Sequence, residues 1–220
     1  MNVVLIPSII NTPNLPLSYS AVRSVYSRNE RFEQLKKTIQ TVKNKIPNLF
    51  IILVECTQLI KEEEDYLSYQ IDLLVNLYKN EEVRDIIYSA SKSHGEGTMT
   101  LLGIKSFLKR KIEFNHFFKI TGRYWLGDNF DFNKYNNPHN VIKCIDDDKK
   151  NVYTCFYKLN KIALIRWFHY LMKQEEPFEK NVNYEIIFGK FLDKIHEHKR
   201  FINRLGIFGN VATSGELIQA

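Results

Sequence analysis

Arg123, Tyr124, Trp125, Asp128 and Asp131 bring a guanidinium, two large rings and two carboxylates into one short stretch of the chain. An arginine can pair bidentately with phosphate oxygens. The rings can stack on a sugar or a nucleobase, and the carboxylates can hold a hard cation or accept a proton. A surface loop with Trp125 tucked onto the core is the plain alternative. What precedes these residues is apolar. From His116 onward, Phe117, Phe118 and Ile120 predict a buried strand that breaks at Thr121-Gly122. Ligands of open α/β sheets bind beyond the carboxyl ends of strands, so this strand end is a candidate site.

Other predicted strand ends offer matching chemistry. Ser8 lies near the end of the first apolar run, and Arg23, Ser24, Ser27 and Arg28 follow it. Glu55 closes the run Leu49–Val54. The polar segment Ser91–Gly97 brings Ser93, His94, Gly95 and Glu96 ahead of a helical stretch. Helix starts after Ser27 and after Gly97 would present free amides and a partial positive charge, which suits a phosphate. Cations, amides and hydroxyls on one rim are what a nucleotide diphosphate needs. Arg23 and Arg28 read equally well as solvated cations at a helix entry.

The elements that must carry these groups follow from periodicity. Val3–Ile10 predicts a buried first strand, ending in a Pro- and Asn-rich connection. Ser27 and Glu30 fit a capping box. Phe32, Leu35, Ile39, Val42 and Ile46 then form one apolar helical stripe, ended by Pro47-Asn48. Leu49–Val54 predicts an inner parallel strand. A helix over Glu62–Lys79, a third strand over Val83–Ser89, a helix over Thr98–Lys111 and the strand from His116 complete an alternating order. That order implies a parallel sheet with right-handed crossovers. After the turn-rich Asn133–Asn140, Val141–Ile145 and Val152–Leu159 predict an antiparallel hairpin around Asp146–Lys150. Helices over Lys161–Lys173 and Val182–Arg200 follow, then a last strand and turn over Leu205–Ser214.

Composition narrows the classes. With 220 residues, 44% hydrophobic and 25% charged, the chain can bury a large core and is not disordered. The net charge of +6 and a pI near 9.0 suit phosphorylated ligands, anionic lipid or nucleic acid. The cations are interleaved with acids along the sequence, and no recognition motif is present, so no nucleic-acid partner is expected. Cys56, Cys144 and Cys155 have no metal-ligand spacing, and a reducing compartment is the simpler inference. Val3–Ile6 has no basic flank and is broken by Pro7, so no signal peptide is read there. No apolar run is long enough for a membrane span. The expectation is a cytoplasmic protein, of a bacterial or virus-infected host cytosol, with any membrane association peripheral. His169, His196 and His198 support no separate site.

Several segments, taken in order, resemble a GT-A-type glycosyltransferase, of a group found in bacteria and large DNA viruses. They are Arg23–Phe32, Ile46–Asn48 running on to Leu53–Glu55, Lys92–Glu96, Phe118–Tyr124 and Ala212–Glu216, and they span nearly the whole chain. The resemblance implies a single GT-A-like, Rossmann-type α/β domain over 1–220. It has a mostly parallel central sheet flanked by helices, and a hairpin and helices in its second half. Residues 1–131 would form a nucleotide-binding half and 132–220 an acceptor-side half. The implied function is transfer of a sugar from a nucleotide-diphosphate donor, with a UDP-sugar favoured, to a glycan acceptor in polysaccharide or glycoprotein-glycan synthesis. Glu55 would meet base or ribose hydroxyls. Ser93, His94, Gly95 and Glu96 would line the diphosphate side, and Tyr124 and Trp125 could stack on a ring.

GT-A enzymes usually end the fourth strand in an Asp-x-Asp motif that holds Mn²⁺ or Mg²⁺. Here that place reads Lys119-Ile120-Thr121-Gly122-Arg123. Either Arg123, with Lys119, neutralises the leaving diphosphate directly, or Asp128 and Asp131 bring a metal back; the sequence reading leans to the carboxylates assisting while Arg123 holds the phosphates. Asp146 and Asp148 also spell Asp-x-Asp, but between two strands they read as turn residues. The base for the acceptor hydroxyl would be Glu185, with Asp131 or Asp128 as competitors and an ordinary exposed helix glutamate as the plain reading of Glu185. A sugar-phosphate nucleotidyltransferase is the alternative enzyme. It calls for a glycine-rich, cationic loop after the first strand, which Pro7–Leu17 lacks. A catalytically inactive GT-A-like binding protein is the remaining alternative.

Overall fold

The computed structural model describes residues 1–146, 151–195 and 199–220. A seven-stranded sheet runs in the order β3-β2-β1-β4-β7-β6-β8. Its strands are β1 (Asn2–Ser8), β2 (Leu49–Glu55), β3 (Leu73–Asn76), β4 (His116–Ile120), β6 (Asn140–Ile142), β7 (Phe156–Asn160) and β8 (Lys199–Phe201). A second sheet of three antiparallel strands holds β5 (Tyr124–Leu126), β9 (Ile207–Asn210) and β10 (Leu217–Gln219). In the large sheet β1 to β4 are parallel, β7 is antiparallel to both β4 and β6, and β8 is parallel to β6. Only β7 therefore runs against the rest.

Both faces of the sheet are covered, which is why its inner strands read as unbroken apolar runs. Along β1, Val3 and Leu5 face one core, built with α4 (Lys92–Leu108), α5 (Lys161–Leu171) and α7 (Tyr184–Lys194). Val4 and Ile6 face the other, built with α1 (Arg28–Lys45) and the small sheet. The expected helix cap is present: the Ser27 side chain accepts from the Glu30 amide, and Glu30 Oε2 accepts from the Ser27 amide at 2.7 Å.

The third βα unit departs from expectation. The predicted helix Glu62–Lys79 is α2 (Lys61–Gln70) followed by β3, which pairs in parallel with β2. Asp72 takes the Ile51 amide at 2.7 Å and fixes the turn between them. Burial along β3 alternates, as on an edge strand, so Leu74 and Val75, though at helical spacing from Ile71, belong to a strand. The predicted strand Val83–Ser89 is instead helix α3 (Glu81–Tyr88), capped by Asn80, which accepts from the Val83 amide at 3.2 Å.

Ser91–Gly97 is not a loop but the start of α4, with Ser91 as cap. Its glycines serve close packing: a Cβ on Gly97 would lie 2.3 Å from the Phe178 ring, and one on Gly95 would lie 2.9 Å from the Ile87 carbonyl oxygen. The expected hairpin is β6 and β7, with Val141 opposite Lys158; Asp147–Lys150 at its tip lie outside the described residues. A short helix, α6 (Glu175–Glu179), precedes α7, and α7 stops at Lys194 with β8 beyond it. Among the described residues no helix is long and apolar enough to cross a membrane.

Candidate functional site

β1 lies between β2 and β4, so the direction of strand succession reverses at its carboxyl end, the place where open α/β sheets open a crevice. A cavity of about 290 Å³ lies there. Its walls are the end of β1, the turn Thr121–Tyr124, the first turns of α4 and the segment Val211–Thr213. Gly122 is required by close approach: its amide donates to the Pro7 carbonyl at 3.0 Å, and a Cβ would stand 3.0 Å from that of Ser8. Val211–Thr213 is held by the Val25 amide, which donates to the Ala212 carbonyl at 2.8 Å.

The cavity is cationic. Arg31, on the first turn of α1, is buried; its Nε donates to the Ile9 carbonyl at 2.6 Å and its Nη1 to Ser24 Oγ at 3.3 Å. Burial, and then the charge of Arg123, bring its pKa down to about 9, with Glu55 acting in the opposite direction. Arg123 lines the same space, and its Nε is buried without a hydrogen-bond partner. Lys92 adds a third cation. Among the described residues one carboxylate, Glu96, lines the cavity, and it is ion-paired to Lys119, a fully buried lysine that also donates to Thr121 Oγ1 at 3.0 Å and the Thr154 carbonyl at 2.5 Å. Burial would raise the Glu96 carboxyl, but Lys119, Lys92 and Arg123 outweigh it and hold the group ionised below its ordinary value. Two guanidiniums facing one pocket, with no carboxylate among the described residues bonded to either, make a site for an anion with several oxygens.

Of the residues nominated from the sequence, Ser8, Arg23, Gly95, Glu96, Thr121, Gly122, Arg123 and Tyr124 meet at this cavity. Arg23 is committed to structure: it donates to the carbonyls of Leu15, Ile87, Tyr88 and Ser89, capping the carboxyl end of α3. The rest do not line the cavity. Ser27 is occupied by its capping box, and Arg28 forms a two-pronged bond to Glu63 at 2.8 and 2.6 Å, tying α1 to α2. Ser93 Oγ accepts from the Tyr184 amide at 3.1 Å, and His94 stacks on Phe178 at 5.5 Å. Glu55 is fully buried behind the end of β1, where Oε1 accepts from the Ile10 and Cys56 amides at 3.0 Å each and Oε2 has no partner. Burial raises its carboxyl to about 7 against the pull of Thr57, Ile10, Ser8 and Arg31. Glu185 stands on the first turn of α7, accepting from Thr154 Oγ1 at 3.1 Å.

The stretch after Tyr124 leaves the rim, because β5 descends along α1. Thr38 Oγ1 donates to the Tyr124 carbonyl at 2.7 Å, the Leu126 amide donates to Thr41 Oγ1 at 3.1 Å, and Asp128 reaches Lys45 at 3.8 Å, at the far end of that helix. Trp125 points outward, stacked on Phe208 at 6.2 Å with Lys37 Nζ 3.5 Å from its ring centre. Asp128 is fully exposed, and Asp131 caps the short 3-10 turn Phe132–Lys134. Neither is placed to hold a metal at the cavity, and Glu96 is held by Lys119. Among the described residues, no group of three or more His, Cys, Asp or Glu is arranged to hold a metal ion. The donor set for Mn²⁺ or Mg²⁺ is not gathered here. Asp146, which takes the Asn151 amide at 3.2 Å, is turn chemistry.

Sequence reasoning missed Arg31 as a site residue and gave Lys119 only a secondary place. The signal for Lys119 was a lone charge in a buried strand, which demands a partner. Arg31 gave none, since a helix-entry arginine is ordinarily solvated.

No family model and no curated protein matches the sequence. Solved structures do resemble the fold. Core-mannan synthase A from Aspergillus fumigatus, in a Mn/GDP form, is 12% identical with a TM-score of 0.55, over 96% of this chain and 74% of that one. The CTP:phosphocholine cytidylyltransferase of Streptococcus pneumoniae is 12% identical with a TM-score of 0.52, over 97% and 94%. A nucleoside-diphosphate-sugar pyrophosphorylase from Vibrio cholerae is 10% identical with a TM-score of 0.51, over 95% of each chain. At such identities the likeness concerns architecture. The chain has the α/β fold common to GT-A glycosyltransferases and nucleotidyltransferases.

Proposed function

We propose that the chain is a glycosyltransferase that takes a sugar from a nucleoside-diphosphate donor and passes it to a glycan acceptor. The observation that carries this reading is the pair Arg31 and Arg123, two cations facing one cavity at the strand-order reversal with no ion-pair partner among the described residues. The donor's diphosphate lies between them. As the bond from the sugar's anomeric carbon to the phosphate oxygen breaks, negative charge grows on that oxygen. Guanidiniums already held in place stabilise it without reorganising. Lys119 holds Glu96 aside and keeps it from opposing the phosphates. The nucleoside occupies the side near Ser8 and the apolar wall of Leu17, Ile87 and Met99.

Glu185 is the base that takes the acceptor hydroxyl's proton while the new glycosidic bond forms. Its carboxylate accepts one side-chain hydrogen bond among the described residues, from Thr154, and its charge is felt at Tyr124 in the cavity wall. In this reading residues 1–131 supply most of the donor wall and 132–220 the acceptor side, with Val211–Thr213 crossing back to the donor.

A melting-temperature panel tests the class. UDP comes first, then GDP, CMP and dTDP, each with and without Mn²⁺. Ligand at one hundred times its dissociation constant stabilises the fold by about 2.7 kcal/mol. No shift with any nucleotide overturns the reading. Pyrophosphate release from a nucleoside triphosphate and a sugar phosphate replaces it with nucleotidyl transfer.

A further inference from the structure

The outer face of α5 has a composition that its own fold does not use. Ala163, Leu164, Trp167 and Leu171 point inward and are buried. On the opposite side Ile162, Ile165, His169 and Met172 form one stripe at helical spacing, and the three aliphatic members are 58%, 37% and 49% exposed. Lys161 flanks this stripe on one side, and Arg166 and Lys173 flank it on the other. The helix has no acidic residue.

α5 packs against α4, whose carboxyl end continues into Lys109-Arg110-Lys111. The two lie side by side there, as the 2.8 Å pair between Lys161 and Glu113 records. Segments 91–113 and 160–173 together hold eight Lys and Arg against two Asp and Glu, a net of +6. The whole chain holds 31 against 25, so everything outside these two segments sums to zero. The excess of positive charge over the whole chain is thus carried by these two segments, with Lys92 at the cavity end of α4 and Lys109-Arg110-Lys111 at its other end.

We propose that this face docks onto an anionic lipid surface, with Ile162, Ile165 and Met172 entering the interfacial layer and the flanking cations meeting acidic headgroups. An apolar stripe bordered on both sides by Lys and Arg is the pattern of a helix lying in a membrane interface, and anionic lipid attracts each such cation. A second copy of the chain fits poorly, because a symmetric contact would press two such cationic faces together. Nucleic acid would use the cations but not aliphatic side chains at the centre of the face.

The test is co-sedimentation of the intact protein with phosphatidylcholine vesicles and with the same vesicles containing phosphatidylserine. Binding only to the second, weakened by salt and by about fivefold for each flanking cation removed, supports docking; Lys161→Gln and Lys173→Gln supply those removals. Ile162→Ser with Met172→Ser must also weaken it, at unchanged charge. All four positions lie away from the cavity, so melting temperature and its response to nucleotide stay as in the parent, which separates docking from donor binding. Equal binding to both vesicle types, or retention of full binding by the serine variant, overturns the proposal. So does a dimer, or an RNA or DNA complex, that the serine variant abolishes while vesicle binding is absent.

Discussion

A guanidinium buried beside another guanidinium costs the empty protein stability and favours any anion that settles between them. Arg123→Ala should therefore weaken nucleoside-diphosphate binding by about tenfold to a hundredfold, the range for a lost charge-assisted hydrogen bond, as read by calorimetry. Arg31→Lys keeps the charge but loses the fork that bonds Ile9 and Ser24, and affinity should fall there too. Unchanged affinity in both would remove the diphosphate from this cavity. Glu185→Gln should leave nucleotide affinity intact and lower turnover by about a hundredfold or more; a variant with parental turnover ends its role as base. Glu55 makes a different claim, about pH. Its carboxyl is raised from 4.5 to about 7 by burial, so between those values the native state binds more protons than the unfolded chain. Stability then falls as pH rises through that window, by about 3 kcal/mol at about 1.4 kcal/mol per unit. Urea titrations at the two ends of the window should show the parent losing stability relative to Glu55→Gln, and parallel curves would count against the buried carboxyl.

At the scale of elements, α4 shows how tight packing defines the cavity. A Cβ on Gly95 would meet backbone of α3, 2.9 Å from Ile87 O and 3.2 Å from its Cα. Alanine is the better helix former by about 1 kcal/mol, yet α3 cannot retreat without breaking the bonds from Arg23 to its last carbonyls. Gly95→Ala should lower stability by about 1–3 kcal/mol, the usual range for overpacking, as measured by urea denaturation; a stabilised variant would mean that the two helices are free to separate. The sequence disclosed elements whose signals were local and redundant. α1 has a reciprocal cap, a long apolar stripe and a Pro-Asn stop, and β1, β2 and β4 are unbroken apolar runs. The unit between β2 and α4 was misread because Leu73–Asn76 is too short to show its alternation. The run Val83–Tyr88, rich in β-branched residues, resembles a strand unless the Asn80 cap and the acids Glu81 and Glu82 are weighed. At the site, Ser8, Gly122 and Arg123 were legible as polar strand ends. Asp128 and Trp125 were not, because only tertiary bonds from Thr38 and Thr41 show that β5 turns down along α1.

At the scale of the whole molecule, segments 91–113 and 160–173 carry the excess positive charge, and Arg31 and Arg123, from outside them, join Lys92 at the cavity. The grouping at the cavity is not visible in the linear order of residues, since it is assembled from segments far apart. The cavity also has a consequence for when the protein becomes competent. Val211–Thr213 complete its wall, the Asn210 amide donates to the Arg123 carbonyl at 3.3 Å, and the Tyr26 hydroxyl donates to the Gly215 carbonyl at 3.1 Å. A chain emerging from the ribosome can form β1, α1 and β2 early, from neighbours in sequence. The pocket itself waits for residues some 190 positions later, as the separation of 189 between Tyr26 and Gly215 states. Closing so long a loop is slow. Nucleotide present during synthesis therefore meets no finished pocket until Val211–Thr213 dock, so it can reward chains that have reached that point but cannot guide the early steps of their folding.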